Sequence, residues 1–239
     1  MSPELDAPVV LITGATGPLG RVVVRRFARD GARLALVGRD HARLAEFGEG
    51  LGVGSDRWLA VPGELIDADS ADAVAGAVTA QWGRIDVLLH LVGGWAGGTA
   101  VVDLDHDEVR RMLDQHLWTT LHVVQAVVPG MVERGFGRVI AVSSPLATDP
   151  GPKGASYAMA KAAEEALVRS LAREVSGSGV TANLVIIRTL DTKYERERAP
   201  TTKNASWATP EEVAETIVFL ASPAAPAVTG GRIPLYGRG

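Results

Sequence analysis

The sequence predicts a single α/β domain in which a parallel sheet lies between layers of helices. The chain has 239 residues, of which 46% are hydrophobic and 22% are charged, and a chain of this size can bury a large core within one domain. Short apolar runs alternate along it with longer segments of helical period. Because consecutive parallel strands need a crossover connection, usually a helix, this alternation predicts one doubly wound domain over residues 1–239 with right-handed crossovers.

Seven segments have the composition of strands. Their residues are nearly all apolar and many are β-branched, which is typical of strands covered on both faces. They are Val9 to Thr13, Arg33 to Val37, Trp58 to Val61, Val87 to Val92, Arg138 to Ser143, Thr181 to Ile187 and a short final strand around Arg232 to Leu235.

Helices are predicted where apolar residues recur every three to four positions. Such segments are Leu19 to Ala28, Ala71 to Trp82 and Ala155 to Glu174. A further helix begins after Thr209, which can cap it, with Pro210 at the first helical position and Glu212 completing a capping box.

The composition narrows the classes of function. Cysteine is absent, so the chain has no disulfide, no thiolate nucleophile and no thiolate metal site, and no metal is expected. The net charge of -4 and the pI near 5.8 give no electrostatic reason to expect nucleic acid or an anionic membrane. No long apolar run and no basic, apolar leader is present, so we expect a cytoplasmic protein with a small-molecule partner.

A glycine-rich turn follows the first strand and leads directly into the first helix. Glycine lets the chain turn tightly and approach a pyrophosphate, and the helix N-terminus points free N–H groups at the phosphates. A glycine pattern alone can mark a plain tight turn, but here a strand precedes it, a helix follows and the second strand ends about 20 residues later, as a dinucleotide site requires. We therefore expect a nicotinamide dinucleotide to be bound by this turn, through Gly14, Thr16, Gly17, Pro18, Leu19 and Gly20.

The end of the second strand bears on the type of dinucleotide. An acidic side chain there binds the adenosine ribose 2′-hydroxyl, whereas an arginine pairs with a 2′-phosphate. Gly38 occupies the acidic position and Arg39 follows, which favours NADP(H), while NAD(H) stays possible because Asp40 is close. The alternative is that Arg39 is a solvated charge and Asp40 a helix cap.

A tyrosine and a lysine stand four residues apart near the start of a predicted helix. Tyr157 and Lys161 therefore share one helix face. The lysine ammonium and the positive ring of an oxidised nicotinamide both favour phenolate, so the pKa of Tyr157 is expected to fall and to suit acid–base catalysis. Ser144 ends the preceding strand, where it can donate a hydrogen bond to a substrate oxygen.

In combination these motifs resemble the short-chain dehydrogenase/reductase family, in the single-domain branch to which many 3-oxoacyl-carrier-protein reductases belong. The resemblance extends from Val9 to Gly237 and rests on the YxxxK motif, the serine thirteen residues before the tyrosine and the glycine turn. It implies a Rossmann-type fold of seven parallel strands, a homotetramer or homodimer, and an oxidoreductase acting on a carbonyl or alcohol. It also implies that Ser144 positions the carbonyl, Tyr157 donates the proton, and Lys161 binds the nicotinamide ribose and tunes Tyr157.

Several positions depart from the family pattern. Pro18 replaces the usual second glycine of the turn, and His90 begins a segment that replaces Asn-Asn-Ala-Gly, where we interpret it as a structural substitute. His116 aligns with the catalytic asparagine, whose backbone carbonyl holds a water in the family's proton relay. It either adds a group that titrates near neutral pH or fills a helix kink. Ile187-Arg188 replaces the family's Pro-Gly after the sixth strand, and Arg188 either recognises a carboxylate or points to solvent.

The resemblance implies further cofactor contacts at the ends of other strands. The residues concerned are Glu64, Leu65, Val92, Gly93, Arg188, Leu190 and Thr192. Trp95 and Leu146 are expected to wall the substrate pocket, although Trp95 is equally consistent with a core residue. The polar stretch 191–206 is interpreted as a lid over this pocket or as an ordinary surface linker.

The leading functional hypothesis is an NADP(H)-dependent ketone or aldehyde reductase. The altered cofactor positions leave open an NADP(H)-binding sensor or scaffold with little turnover. A C=C reductase or dehydratase is disfavoured, because the enoyl reductases of this group space tyrosine and lysine more widely than Tyr157 and Lys161.

Overall fold

Seven parallel strands form one sheet in a computed structural model of the protein that describes residues 7–236. The strands are β1 Val9–Thr13, β2 Arg33–Gly38, β3 Trp58–Pro62, β4 Val87–His90, β5 Gly137–Ser143, β6 Val180–Ile187 and β7 Arg232–Leu235. The helices are α1 Pro18–Arg29, α2 His41–Glu49, α3 Ala68–Trp82, α4 His106–Leu113, α5 Thr119–Glu133, α6 Ala155–Glu174, α7 Glu195–Arg198 and α8 Pro210–Ala221. The strand order is β3-β2-β1-β4-β5-β6-β7. The predicted single-domain, seven-stranded parallel fold is thereby confirmed.

Both faces of the sheet are buried under helices. On β1, Val9 and Leu11 pack into a core that contains residues of α3, α5 and α6. Val10 and Ile12 pack on the other face, with residues of α1, α2 and α8. Successive strand side chains point to opposite faces, so a strand covered on both sides must be apolar at every position. This explains the nearly continuous apolar runs of the sequence.

The order of strands reverses at β1. This strand pairs with β2 on one side and with β4 on the other, and its last residue, Thr13, lies opposite Val37 and His90. Ligands of open parallel sheets bind beyond the carboxyl ends of the strands at such a reversal. The glycine turn after β1 and the segment after β4 meet at this point.

The element boundaries differ little from the predicted ones. β4 ends at His90 and not at Val92, because the N–H of Leu91 donates to Oγ1 of Thr13 and leaves the ladder. The capping box of α8 is confirmed, with the N–H of Glu212 donating to Oγ1 of Thr209 and the N–H of Thr209 donating to Oε2 of Glu212. No helix within residues 7–236 is long and apolar enough to cross a membrane.

Candidate active site

The glycine turn brings its backbone against two neighbouring segments. Gly14 has a φ of +66°, and a Cβ on it would lie 2.8 Å from the carbonyl oxygen of Leu91. A Cβ on Gly20 would lie 2.3 Å from the carbonyl oxygen of Gly14. Any larger residue at either position would collide with the backbone, so the turn is built to be close and not simply flexible.

The start of α1 offers the donors that a pyrophosphate needs. Gly17 is the N-cap residue and Pro18 is the first helical residue, a position where proline loses no helical hydrogen bond. The departure at Pro18 is therefore compatible with a helix N-terminus at this place. The first-turn N–H groups, which have no partners within a helix, belong to Leu19 and Gly20 and lie beside Thr16. These residues fit a dinucleotide cradle.

Two charged residues, Arg39 and Asp40, follow β2, and their side chains have different surroundings. Asp40 is the N-cap of α2, and its Oδ1 accepts the N–H of Arg43 at 3.1 Å. Arg39 lies between Gly38 and this cap with an exposed side chain. The helix-cap interpretation of Asp40 is thus correct, while Arg39 is positioned to meet a ligand or solvent.

Ser144, Tyr157 and Lys161 come together at the carboxyl edge of the sheet. Ser144 directly follows β5, and its Oγ accepts the N–H of Leu146 at 3.3 Å. Tyr157 lies in the first turn of α6, where its phenol is near enough to the Ser144 side chain for the serine to lower the pKa of the phenol. One turn later, Nζ of Lys161 donates to the carbonyl oxygen of Val142 on β5 at 2.7 Å. The structure therefore unites the three residues that the sequence singles out.

Lys161 has a second partner, Glu164, which the sequence analysis misses. Nζ of Lys161 lies 2.5 Å from Oε2 of Glu164, and the two side chains are 4% and 0% exposed. They stand three residues apart on α6, so they share a helix face, and this spacing is the signal that was available in the sequence. An ammonium group has three donors. Val142 and Glu164 take two of them, which leaves one for a ligand.

The pKa of Tyr157 differs from the expectation. Burial raises it to about 12, and the negative charge of Glu164 acts in the same direction, while the hydrogen bond with Ser144 lowers it. The expectation of a lowered pKa is wrong for the protein by itself, because it leaves out burial, which is the largest cause, and the carboxylate partner of Lys161. Tyr157 is consequently protonated at neutral pH.

His90 is a buried structural residue, as expected. Its Nδ1 lies 3.0 Å from Oγ1 of Thr13 and its Nε2 lies 3.2 Å from Oγ1 of Thr119. The Thr119 hydroxyl donates its hydrogen to the carbonyl of Gln115 at 2.7 Å, so its oxygen accepts from Nε2. Nδ1 must then accept from Thr13. Burial, reinforced by the positive charge of Lys161, lowers the pKa of His90 to about 3 and keeps the ring neutral.

His116 occupies a π-helical segment, Asp114–Trp118, between α4 and α5. Its Nε2 is 3.1 Å from the carbonyl oxygen of Gly94, so Nε2 carries the hydrogen, and Nδ1 is buried with no hydrogen-bond partner among the described residues. Burial, followed by the charge of Lys161, lowers the pKa of His116 to about 3. The ring is neutral near pH 7, which contradicts the titrating interpretation and favours a residue that fills the helical irregularity.

The π-helical segment nevertheless borders the catalytic residues. The His116 ring packs edge-on against the Tyr157 ring, with centroids 5.4 Å apart. The backbone carbonyl of His116, which the resemblance connects with a proton relay, accepts the hydroxyl of Thr120 at 2.5 Å. His116 thus stays a candidate catalytic residue through its position and backbone and not through its charge.

The remaining predicted cofactor residues are spread along the carboxyl edge. Leu65 is buried, whereas Glu64 is exposed and uses its N–H on Oγ of Ser70. Gly93 faces His116, whose Cε1 would lie 3.9 Å from a Cβ on the glycine, and the neighbouring Val92 is partly buried. These positions are compatible with cofactor contact.

The three predicted cofactor contacts that follow β6 lie in different surroundings. Arg188 is exposed and stacks on Tyr236, with the guanidinium carbon 5.0 Å from the ring centroid. Leu190 forms a bridge with Ala208, and its carbonyl accepts the N–H of Thr192 at 3.0 Å. The Leu190 and Thr192 backbone is therefore fixed beside the sheet, while the Arg188 side chain lies against an aromatic ring.

The expected substrate side of the site is open. Trp95 is 65% exposed, so the interpretation as a core residue is wrong, and Leu146 is partly buried beside Ser144.

Residues 191–206 contain the short helix α7, and hydrogen bonds hold the segment near both of its ends. At the first end Asp191 accepts the N–H groups of Glu195 and Arg196, each at 2.9 Å. At the second, Nδ2 of Asn204 donates to the carbonyl of Ala199 at 2.9 Å.

Fold and site together define a dinucleotide-binding oxidoreductase with a serine, a tyrosine and a lysine at the sheet edge. Comparison with known proteins agrees with this class. A family model described as enoyl-(acyl carrier protein) reductase matches residues 14–236. The chain belongs to the short-chain dehydrogenase/reductase family, whose members bind nicotinamide cofactors and act on hydroxyl or keto groups.

Three relatives illustrate the range of the similarity. The (2S)-[(R)-hydroxy(phenyl)methyl]succinyl-CoA dehydrogenase subunit BbsC of Thauera aromatica is 33% identical over 235 residues, which cover 96% of this chain and 93% of that protein. The 3-oxoacyl-[acyl-carrier-protein] reductase FabG of Vibrio harveyi is 29% identical over 242 residues, 98% of each chain. An NADPH-bound short chain oxidoreductase of Pseudomonas aeruginosa PAO1, described as containing an atypical catalytic center, has a TM-score of 0.85 at 26% identity, covering 96% of this chain and 95% of its own.

Proposed function

We propose that the protein transfers a hydride and a proton between NADP(H) and the carbonyl or alcohol group of a small molecule. The observation that carries this proposal is the cluster of Ser144, Tyr157 and Lys161, with the serine side chain near the phenol and the ammonium group held against β5. When bound, the nicotinamide supplies or accepts the hydride. The chain's own groups then bind the substrate oxygen and move the proton.

In carbonyl reduction, Ser144 donates a hydrogen bond to the substrate oxygen and Tyr157 protonates that oxygen as the hydride arrives at carbon. A proton donor must hold its proton at the working pH, and burial, which raises the pKa of Tyr157 to about 12, satisfies this requirement. The third hydrogen of Lys161 is available for the nicotinamide ribose.

The preference for NADP(H) is supported by the end of β2. Asp40 uses Oδ1 of its carboxylate as a helix cap, whereas the Arg39 side chain is exposed and has no hydrogen-bond partner within residues 7–236 that would hold it away from a 2′-phosphate. Arg39→Ser is expected to weaken NADPH binding about tenfold or more and to leave NADH binding unchanged, because one charge-assisted hydrogen bond to the 2′-phosphate is lost. Arg29→Ser, at the opposite end of α1, is the matched control. Equal NADPH affinity for both variants would remove the NADP(H) preference.

The substrate is proposed to lie between Trp95, Leu146 and residues 191–206, with the last acting as a lid. The exposure of Trp95 and the absence of a helix or strand other than α7 between residues 191 and 206 support this arrangement. A homodimer or homotetramer is proposed by analogy with the family and can be measured by light scattering at several protein concentrations.

The activity is tested by NADPH oxidation against a panel of ketones, aldehydes and enones. Tyr157→Phe and Ser144→Ala are expected to lower kcat/KM about a hundredfold or more. Ser143→Ala is the matched control, because the Ser143 hydroxyl is buried with no partner in the described part of the chain, and it is expected to keep most of the activity. If Tyr157→Phe and the unsubstituted protein are equally active on every substrate, the proposed chemistry is refuted.

Two other functions are separated by the same measurements. Tight NADPH binding in calorimetry without turnover of any substrate would indicate a cofactor-binding sensor or scaffold. An enone reduced only at its double bond would indicate the enoyl reductase activity that the matching family model names. Product identification by mass spectrometry distinguishes that outcome from carbonyl reduction.

A further inference from the structure

The buried pair of Lys161 and Glu164 is not explained by the proposed chemistry alone. A lysine that only binds a ribose hydroxyl and tunes a phenol needs its positive charge. Here a carboxylate lies 2.5 Å from that charge, and both groups are almost completely removed from water. Burying two opposite charges is costly unless their geometry is good and the remaining polar atoms are satisfied. We therefore expect the pair to have a functional role that offsets the free-energy cost of burying it.

The second oxygen of Glu164 lies beside the start of α5. Its Oε1 is 3.4 Å from Oγ1 of Thr120, whose single hydroxyl hydrogen is donated to the backbone carbonyl of His116 at 2.5 Å. Thr120 therefore separates the Glu164 carboxylate from the His116 carbonyl, and the carboxylate keeps Lys161 as its closest partner.

We propose that Glu164 is a positioning residue of the active site, whose carboxylate holds Lys161 in place and opposes its charge at Tyr157, so that Tyr157 faces the Lys161–Glu164 pair and not a free ammonium group. The inference rests on the proposed role of Tyr157 as the proton donor. It adds that the acidity of this donor is controlled from a residue that does not touch the substrate.

The other titratable groups near the Lys161–Glu164 pair are neutral or are bound to other partners, so Glu164 is the group that compensates the charge of Lys161. Glu165, the next residue on α6, is occupied by Arg232 of β7, with its Oε2 2.6 Å from Nε. His90 of β4 and His116 of the π-helical segment are neutral, since burial lowers the pKa of each to about 3. Glu108 of α4 accepts the hydroxyl of Ser156, which precedes Tyr157.

The test is a titration of Tyr157 in the protein without substrate or cofactor. Tyrosinate absorbance in the ultraviolet is recorded against pH, and the same curve from a Tyr157→Phe protein is subtracted to remove the other two tyrosines of the chain. In the unsubstituted protein Tyr157 is expected to titrate above the ordinary tyrosine value of about 10. A clearly lower value would overturn the proposal, and this arm requires no variant of Glu164 to fold.

The charge itself is tested with Glu164→Gln, which keeps the size and one hydrogen-bond acceptor. Freed from its counter-charge, Lys161 is expected to lower the titration midpoint of Tyr157 by about one pH unit or more. In alcohol oxidation, where Tyr157 acts as the base, the rise of kcat/KM with pH should move to lower pH by the same amount. A merely structural role would lower activity without moving either curve.

Glu165→Gln is the matched control, because it removes a buried carboxylate from the same helix that pairs with Arg232 instead of Lys161. It is expected to leave the Tyr157 midpoint unchanged. The proposal is overturned if Glu164→Gln titrates like the unsubstituted protein, or if both variants shift Tyr157 equally. Because the titration needs no turnover, its failure is distinguishable from failure of the proposed carbonyl reduction.

Discussion

His90 is expected to make the folded protein lose stability on acidification. Its ring is 1% exposed and lies between Thr13 and Thr119, with both ring nitrogens hydrogen-bonded in the neutral form. A protonated ring would need to donate from both nitrogens, in a place where burial and the charge of Lys161 oppose a second positive charge. The folded state therefore resists protonation of His90, whereas the unfolded chain does not.

The size of the effect follows from the two pKa values. The pKa of His90 is about 3 in the folded protein, against an ordinary value of 6.5. A folded pKa below the unfolded one means that the stabilisation is complete above pH 6.5 and is lost as the pH falls from 6.5 toward 3. Each pH unit corresponds to about 1.4 kcal/mol, so roughly 2 kcal/mol of the free energy of unfolding is lost through His90 by about pH 5.

The assay is urea unfolding of the unsubstituted protein and of His90→Asn at about pH 8 and about pH 5. Asparagine cannot titrate, yet it keeps a polar side chain between Thr13 and Thr119. At the higher pH we expect His90→Asn to be less stable by about 1–3 kcal/mol, because it loses packing and one hydrogen bond. At about pH 5 this gap should shrink by about 2 kcal/mol. His116 and Glu164 are present in both proteins, so their titration cancels in the comparison.

A gap of the same size at both pH values would refute the reasoning. It would mean that His90 takes up its proton equally in the folded and unfolded states. A gap that widens at the lower pH would mean that the folded protein stabilises the protonated ring, which is the reverse of what burial requires.

Three further predictions concern the frame around the site. Gly20→Ala places a Cβ 2.3 Å from the carbonyl oxygen of Gly14, so we expect loss of NADPH binding in calorimetry together with a lower melting temperature; unchanged binding would refute the close-approach argument. Thr209→Ala removes the N-cap of α8 and is expected to lower the free energy of unfolding by about 1 kcal/mol in urea titrations, whereas Thr209→Ser should stay near the original value. Arg196→Met breaks the 2.6 Å contact with Glu212, so we expect faster limited proteolysis within residues 191–206 at nearly unchanged melting temperature, and equal cleavage rates would show that this contact does not hold the segment.

Much of the site follows from local sequence patterns. The trio of Ser144, Tyr157 and Lys161 depends on one strand end and one helix, and the spacing of four residues places the last two on one face wherever that helix lies. The cap formed by Thr209 is equally local. Such features are encoded within a few residues, so they can be predicted without knowing how the rest of the chain folds.

The charge state of the same site depended on contacts that no spacing reveals. Glu164 is visible in the sequence three residues after Lys161, but a pair at that spacing usually lies on a solvated helix face. Its burial is decided by the elements that pack against α6, chiefly β6, α4 and the π-helical segment. The pKa of Tyr157 moves in the direction opposite to the expectation, chiefly because Tyr157 is itself buried and secondly because of the negative charge of Glu164. His116 failed as a titrating group for the same reason, because its burial comes from elements outside its own segment.

The sequence by itself determined the doubly wound α/β domain, the glycine turn and the catalytic trio, because hydrophobic period, turn residues and helix spacing are local properties. Only the tertiary structure decided which residues are charged. The partners of His90 are 77 and 29 residues away, and the carboxylate of Glu164 reaches Thr120 across 44 residues. Desolvation and charge pairing are set by what the whole chain brings to one point, and for that reason they appear only in the folded protein.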